Sequence, residues 1–194
     1  MSSGDPINLT NQFLIAMPGM ADEQFSGTVV YLCEHSSKGA LGLVINRPID
    51  ITVKSLFEKV ELSLERAELA DQPVFFGGPV QTERGFVLHE KFGADESPFV
   101  STLAIPGGDL EMTTSRDVLE AVASGGGPRK LLITLGYSGW SAGQLEEEII
   151  RNGWLTVDAD PRVIFDTPVE QRYERALSLL GFDPLMLSQE AGHA

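Results

Sequence analysis

The 194-residue chain has a single cysteine, Cys33, which rules out an intrachain disulfide framework. Its three histidines, His35, His89 and His193, fall in no H-x-x-x-H pattern and have no companion cysteine pair, so no metal site is expected and no cofactor is implied. Cations are scarce as well: 14 Lys and Arg against 28 Asp and Glu leave a net charge of −14, and the longest basic cluster is Arg129-Lys130. A nucleic-acid surface needs a basic stripe to replace phosphate counterions, so direct DNA binding is disfavoured by charge, and a protein partner or small-molecule ligand is the better expectation. Near the N-terminus the apolar run Phe13–Met17 is too short for a membrane span or a signal-peptide core, which points to a cytoplasmic protein without membrane contact. Internal repeats, low-complexity tracts and a flexible linker are all missing. One domain over 1–194 is expected, with 1–11 and 186–194 loose.

What is present is organised around 131–154. Leu131–Leu135 is a short apolar, β-branched run bounded by glycine, the pattern of a strand buried on both faces. A glycine-rich turn from Gly136 to Gly143 follows, and Ser141 with Gln144 three residues later has capping-box spacing. A helix is predicted from near Ala142, with an apolar stripe of Ala142, Leu145, Ile149 and Ile150. Glu146, Glu147 and Glu148 sit in its first turns, where the macrodipole favours negative charge.

Before that unit, strands are predicted at Phe13–Met17, Thr28–Cys33 and Ala40–Asn46, the last two as a hairpin. The i, i+3, i+4, i+7 spacing of Val53, Leu56, Phe57 and Val60 predicts a helix following Arg47-Pro48, with Glu61–Gln72 as a charged continuation. Val74–Phe76 and Gly85–His89 read as strands joined through Gly77-Gly78-Pro79. Val100–Ile105 and Leu110–Thr113 read as a pair, followed by a helix through Ala123. Beyond 154, Leu155–Val157 and Val163–Phe165 read as short strands, and Thr167-Pro168 opens a last helix with Tyr173, Ala176, Leu177 and Leu180 inward. Strand pairs outnumber βα alternations, which favours an α+β fold whose helices cover a mixed, largely antiparallel sheet.

Four features could carry chemistry. Simple alternation would put Cys33 and His35 on one strand face, allowing a thiolate beside an imidazolium; the competing reading is a packed cysteine acting as a small hydrophobe. The glycine turn with Gly139, Trp140 and Ser141 could present amides to an anion, or simply permit a tight strand-to-helix connection. Arg47 and Arg84, at strand ends, could clamp a carboxylate or phosphate, or pair with nearby acids. The three histidines lack metal-ligand spacing, and His89 at the end of Phe86-Val87-Leu88 fits a satisfied strand-edge position. No catalytic set is complete.

The blocks NQFLIAMPGM, TVVYLCEH, GALGLVINRP, VFFGGPV, RGFVLHE, LGYSGWSAGQLEEEI and NGWLTVDAD, the 165–172 segment and the closing GFDPLMLSQEAGHA occur in an order, and over nearly the whole chain, that closely resembles the bacterial YqgE/AlgH family. The resemblance implies an α+β fold with a branched sheet that includes a small closed barrel, surrounded by helices. It implies a cytosolic bacterial protein, described at most as a candidate transcriptional regulator, with no established catalytic activity. The shared blocks mark Cys33-Glu34-His35, Asn46-Arg47-Pro48, Gly77-Gly78-Pro79 and Gly139-Trp140 as positions of interest. Two readings follow: a non-catalytic regulatory or binding protein acting through a partner or small ligand, and a thiol-dependent enzyme or redox-sensitive binder centred on Cys33.

Overall fold

The computed structural model describes residues 8–18, 27–92 and 97–181. Its strands are β1 (Gln12–Ala16), β2 (Val29–Ser36), β3 (Gly39–Val44), β4 (Pro48–Thr52), β5 (Pro73–Phe76), β6 (Val80–Glu90), β7 (Thr102–Ala104), β8 (Leu110–Thr113), β9 (Leu131–Ser141) and β10 (Trp154–Asp158). The helices are α1 (Val53–Lys59), α2 (Arg116–Ala123), α3 (Gln144–Ile150), α4 (Pro161–Phe165) and α5 (Arg172–Ser178), with 3-10 turns at Ala67–Leu69 and Val169–Gln171. The fold is α+β. Among the described residues all strand pairs are antiparallel except β5 with β9. Two compact units are present, one built from the residues up to Asn46 and from Ser138 onward, the other from Arg47–Tyr137.

In the first unit the strand order is β10-β1-β2-β3-β9. Phe13, Leu14, Ile15 and Ala16 are all fully buried, as a strand covered on both faces requires. Leu14, Val30, Leu32 and Val44 share one core with Leu145 of α3 and Trp154. Phe13, Ile15 and Tyr31 alternate to the other face, where Phe13 and Tyr31 meet edge to face at 6.3 Å and α5 contacts β1 and β2. Arg172 of α5 is buried; its Nη1 donates to the Ile45 carbonyl at 2.5 Å and its Nε to the Thr167 carbonyl at 3.0 Å, while burial pulls the guanidinium down to about 10. Residues 8–11 are tied in through Leu9 N–H to His35 Nδ1 and Asn11 N–H to the Leu32 carbonyl, both 2.9 Å. The segments 1–7 and 186–194, and His193, lie outside the described residues.

In the second unit the order is β4-β5-β9-β6-β8-β7. Val53 and Phe57 of α1, Val118 and Val122 of α2, and Val87 and Ile133 of the sheet form its core. Because β9 pairs with β3, β5 and β6, the sheet is branched. Among the described residues no pairing joins its outermost strands, so it is open where a small closed barrel was implied.

Several predicted elements differ. The strand 131–135 does not stop at Gly136: β9 continues to Ser141, and its residues 138–141 pair with 42–39 of β3, so the expected turn from Gly136 to Gly143 is mostly strand. Gly136 keeps the strand going through a φ of +78°, where an added Cβ would collide with the Gly78 carbonyl oxygen. Helix α3 starts at Gln144 behind a left-handed Gly143, and Ile150 is 79% exposed, outside the buried stripe. Between Arg47 and α1 lies β4, whose half-buried Ile49 and Ile51 alternate with exposed residues at period two. Val163–Phe165 belongs to α4, because Asp160 Oδ1 accepts the Arg162 N–H at 3.0 Å and Pro161 occupies the first turn. Thr167 does not cap the last helix; its hydroxyl donates to the Arg162 carbonyl, and a 3-10 turn precedes α5.

Candidate functional site

The β2 register shifts between Leu32 and Glu34, so Cys33 is the extra residue of a β-bulge. One inserted residue reverses the alternation beyond it, and Cys33 and His35 therefore do not share a face by simple period two. His35 instead stands opposite Ala40, which stands opposite Trp140, placing His35 on the α3-covered face. The Cys33 thiol is fully buried, lies 3.8 Å from the Tyr31 carbonyl, and is pushed far above the ordinary thiol range by burial and then by the Glu34 charge. Alkylation of the native protein is accordingly expected to leave Cys33 unmodified, with quantitative labelling only in denaturant; intact-mass measurement after iodoacetamide treatment checks this.

His35 accepts the Leu9 N–H at Nδ1, so the neutral ring carries its proton on Nε2. That nitrogen lies 3.4 Å from Glu146 Oε2 without an aligned hydrogen bond. Next to it, Glu148 Oε1 accepts both indole N–H groups, from Trp140 at 3.0 Å and Trp154 at 2.9 Å, and Gln144 Nε2 donates to Glu148 Oε2 at 3.0 Å. Ser141 N–H donates to Gln144 Oε1 at 3.0 Å, which is one half of the predicted reciprocal cap. Glu148 is thus a fastening for two buried tryptophans, while Glu146 and Glu147 sit in the first turn of the helix. Two indoles flanking a short helix, each needing an acceptor, are the signal that identifies this role in the sequence.

Each of the other predicted positions has its own local contacts. Asn46 bridges Val29 N–H and the Gly27 carbonyl, at 3.0 and 2.9 Å. In the second unit, the Arg47 carbonyl accepts Phe76 N–H at 2.8 Å, and Gly77 has no room for a Cβ because the Gly136 carbonyl and Thr134 fill that space. Gly78 has a φ of +155°. Arg84 contacts Gln81 at 3.3 Å and lies over the Phe86 ring at 5.7 Å. Gly139 is an exposed strand residue opposite Leu41.

His89 lies at the end of a directed hydrogen-bond chain. The Glu90 carbonyl only accepts, so His89 Nδ1 donates to it at 2.8 Å, and Nε2 accepts from Thr113 Oγ1 at 2.7 Å. Thr102 Oγ1 lies 2.9 Å from Thr113 Oγ1 and receives Ser97 Oγ at 3.1 Å. Burial holds the imidazole below its ordinary range, opposed by the Glu90 carbonyl and the Glu111 charge. A depressed histidine pKa means the unfolded chain takes up a proton that the folded chain refuses. Stability is therefore complete above the unfolded value near 6.5 and falls as pH drops through it, by at most about 1.4 kcal/mol per pH unit. Urea midpoints measured from pH 7.5 to 5.5 should show this slope, and His89→Gln should flatten it.

The second unit also contains an apolar groove of about 230 Å³, whose position no predicted site residue shares. Val87, Ile133 and Leu135 form its floor, Leu56 and Val60 line it from α1 and its C-terminal cap, and Leu119 lines it from α2. Gly85 lies in that floor within β6. It has no positive φ, and an added Cβ would meet nothing within 4 Å. A glycine inside a strand, required by neither geometry nor crowding, is the local sequence signal of such a space.

Fold and site together define an α+β protein built on a branched, largely antiparallel sheet, with an apolar slot opening above one part of it. A model of AlgH-like proteins matches residues 13–185, and the chain belongs to that family. It is 69% identical to a UPF0301 protein of Ralstonia nicotianae over 195 residues, covering 100% of both chains. It is also 69% identical to one of Cupriavidus pinatubonensis over 189 residues, covering 97% of each. The solution structure of the AlgH protein from Pseudomonas aeruginosa matches with a TM-score of 0.76 at 48% identity, over 100% of both chains. A Corynebacterium diphtheriae protein shares the fold, with a TM-score of 0.70 at 20% identity, over 97% of this chain and 93% of that one. Among the described residues, no helix is long and apolar enough to cross a membrane.

Proposed function

We propose that this chain is a binding protein that acts by occupancy, regulating through a small ligand or partner protein rather than by turnover. The groove of the 47–137 unit carries the reading: concave apolar surface with a few polar groups at its edge is the usual form of a small-molecule site. The inaccessible Cys33 thiol speaks against the thiol-based alternative, since a buried, protonated sulfur is a poor nucleophile. A charge of −14 favours transcriptional regulation through a partner over direct DNA contact. Titration with a solvatochromic apolar dye tests the reading: one saturable site per chain is expected, and no saturable binding would overturn it. Fluorescence anisotropy with promoter DNA should show no sequence-specific complex at physiological salt.

A further inference from the structure

The groove's edge is chemically specific. Thr114 and Arg116 line it where β8 passes into α2, and Glu83 lines it from β6. Arg116 is anchored there, its Nη2 donating to the Val60 carbonyl at 2.7 Å, while its Nε makes only a long 3.8 Å pair with Glu120 on an exposed face. One apolar slot is thus bordered by one guanidinium, one carboxylate and three hydroxyl residues, of which Thr113 is engaged with His89 and Ser115 with Asp117, leaving Thr114 beside Arg116. A fatty acid would leave Glu83 facing its carboxylate, and an apolar amine would leave Arg116 facing its ammonium. A zwitterion satisfies both.

We propose that the groove binds a free apolar amino acid, an inference that rests on the binding-protein reading. Its α-carboxylate is received by Arg116 and Thr114, its α-ammonium by Glu83, and its hydrocarbon side chain by the space that Gly85 leaves over Val87, Ile133 and Leu135. The size fits: a cavity of about 150 Å³ holds benzene and a water's share is about 30 Å³, so 230 Å³ takes a leucine- or phenylalanine-sized side chain with part of its polar head. Gly85 is central because a side chain there would fill the slot without straining the strand.

Displacement of the dye by L-leucine, by 4-methylpentanoate and by 3-methylbutylamine tests the proposal, since the latter two keep the hydrocarbon and lose one charge each. Leucine should displace the dye, with each truncated analogue roughly tenfold weaker for its unpaired charge. Glu83→Gln should weaken leucine roughly tenfold and leave 4-methylpentanoate no weaker. Gly85→Leu should unfold as cooperatively as the parent and bind neither dye nor leucine. Saturable dye binding that leucine fails to displace, or that 4-methylpentanoate displaces equally well, overturns the amino-acid assignment while the binding reading stands. Undiminished binding of dye and leucine by Gly85→Leu overturns the groove as the site. Absence of saturable dye binding removes the reading on which both rest.

Discussion

Glu148→Leu is expected to lower the unfolding free energy by roughly 3–5 kcal/mol, because it orphans two indole donors that each cost about 1–3 kcal/mol when left unpaired. Trp140 and Trp154 are 7% and 3% exposed, so water cannot readily replace the lost acceptor, and both bonds converge on the single oxygen Glu148 Oε1. The hydrophobic gain of leucine does not offset this, since Glu148 is only partly buried and its chain ends among polar groups. Glu148→Gln keeps an acceptor oxygen with two lone pairs, so it should cost only about 1 kcal/mol, the charge-assisted part. These are the chain's only two tryptophans, so fluorescence-detected urea unfolding reads the site directly. Combining Glu148→Leu with Trp140→Phe should cost less than the two changes summed, because the phenyl ring has no donor to orphan. A Glu148→Leu variant within 1 kcal/mol of the parent would show that the carboxylate does not fasten α3.

Elements with an unambiguous period were legible in the sequence, among them the β2–β3 hairpin, α1 from Val53, Leu56 and Phe57, and the buried start of β9. The errors have specific causes. A glycine inside β9 read as a terminator because the sequence cannot show Gly78 crossing close to Gly136, and Val163–Phe165 read as a strand because five residues hold little more than one helical turn. The β2 bulge was invisible for a related reason. An inserted residue leaves no compositional mark, yet it decides which way His35 points and separates it from Cys33. The groove has almost no local signature, because its lining comes from three strands and two helices distant in sequence, with Gly85 as the single local clue. Such a concavity is produced by tertiary placement of ordinary apolar residues and carries no marking residue chemistry.

Gly136→Ala and Gly143→Ala separate two reasons for keeping glycine. Both residues have nearly the same φ, +78° and +79°, so both variants pay the left-handed penalty of roughly 1–2 kcal/mol. Around Gly143 a Cβ meets nothing within 4 Å, and its cost should stop there. At Gly136 the Cβ would run into the Gly78 carbonyl oxygen, with the Val80 carbonyl oxygen at 3.1 Å and the Thr82 Cα at 3.2 Å behind it. Those are backbone atoms that no rotamer change can move aside. Gly136→Ala should therefore cost roughly 3–5 kcal/mol in total, the range in which a named steric conflict is the usual cause. Gly85→Ala, with neither strain nor crowding, should be neutral or stabilising, since alanine narrows the unfolded ensemble. Urea unfolding of the three variants in parallel checks the order Gly136, Gly143, Gly85. Equal losses at Gly136 and Gly143 would mean that the backbone around Gly78 yields, so that the continuation of β9 rests on conformation alone and not on the close approach of two strands.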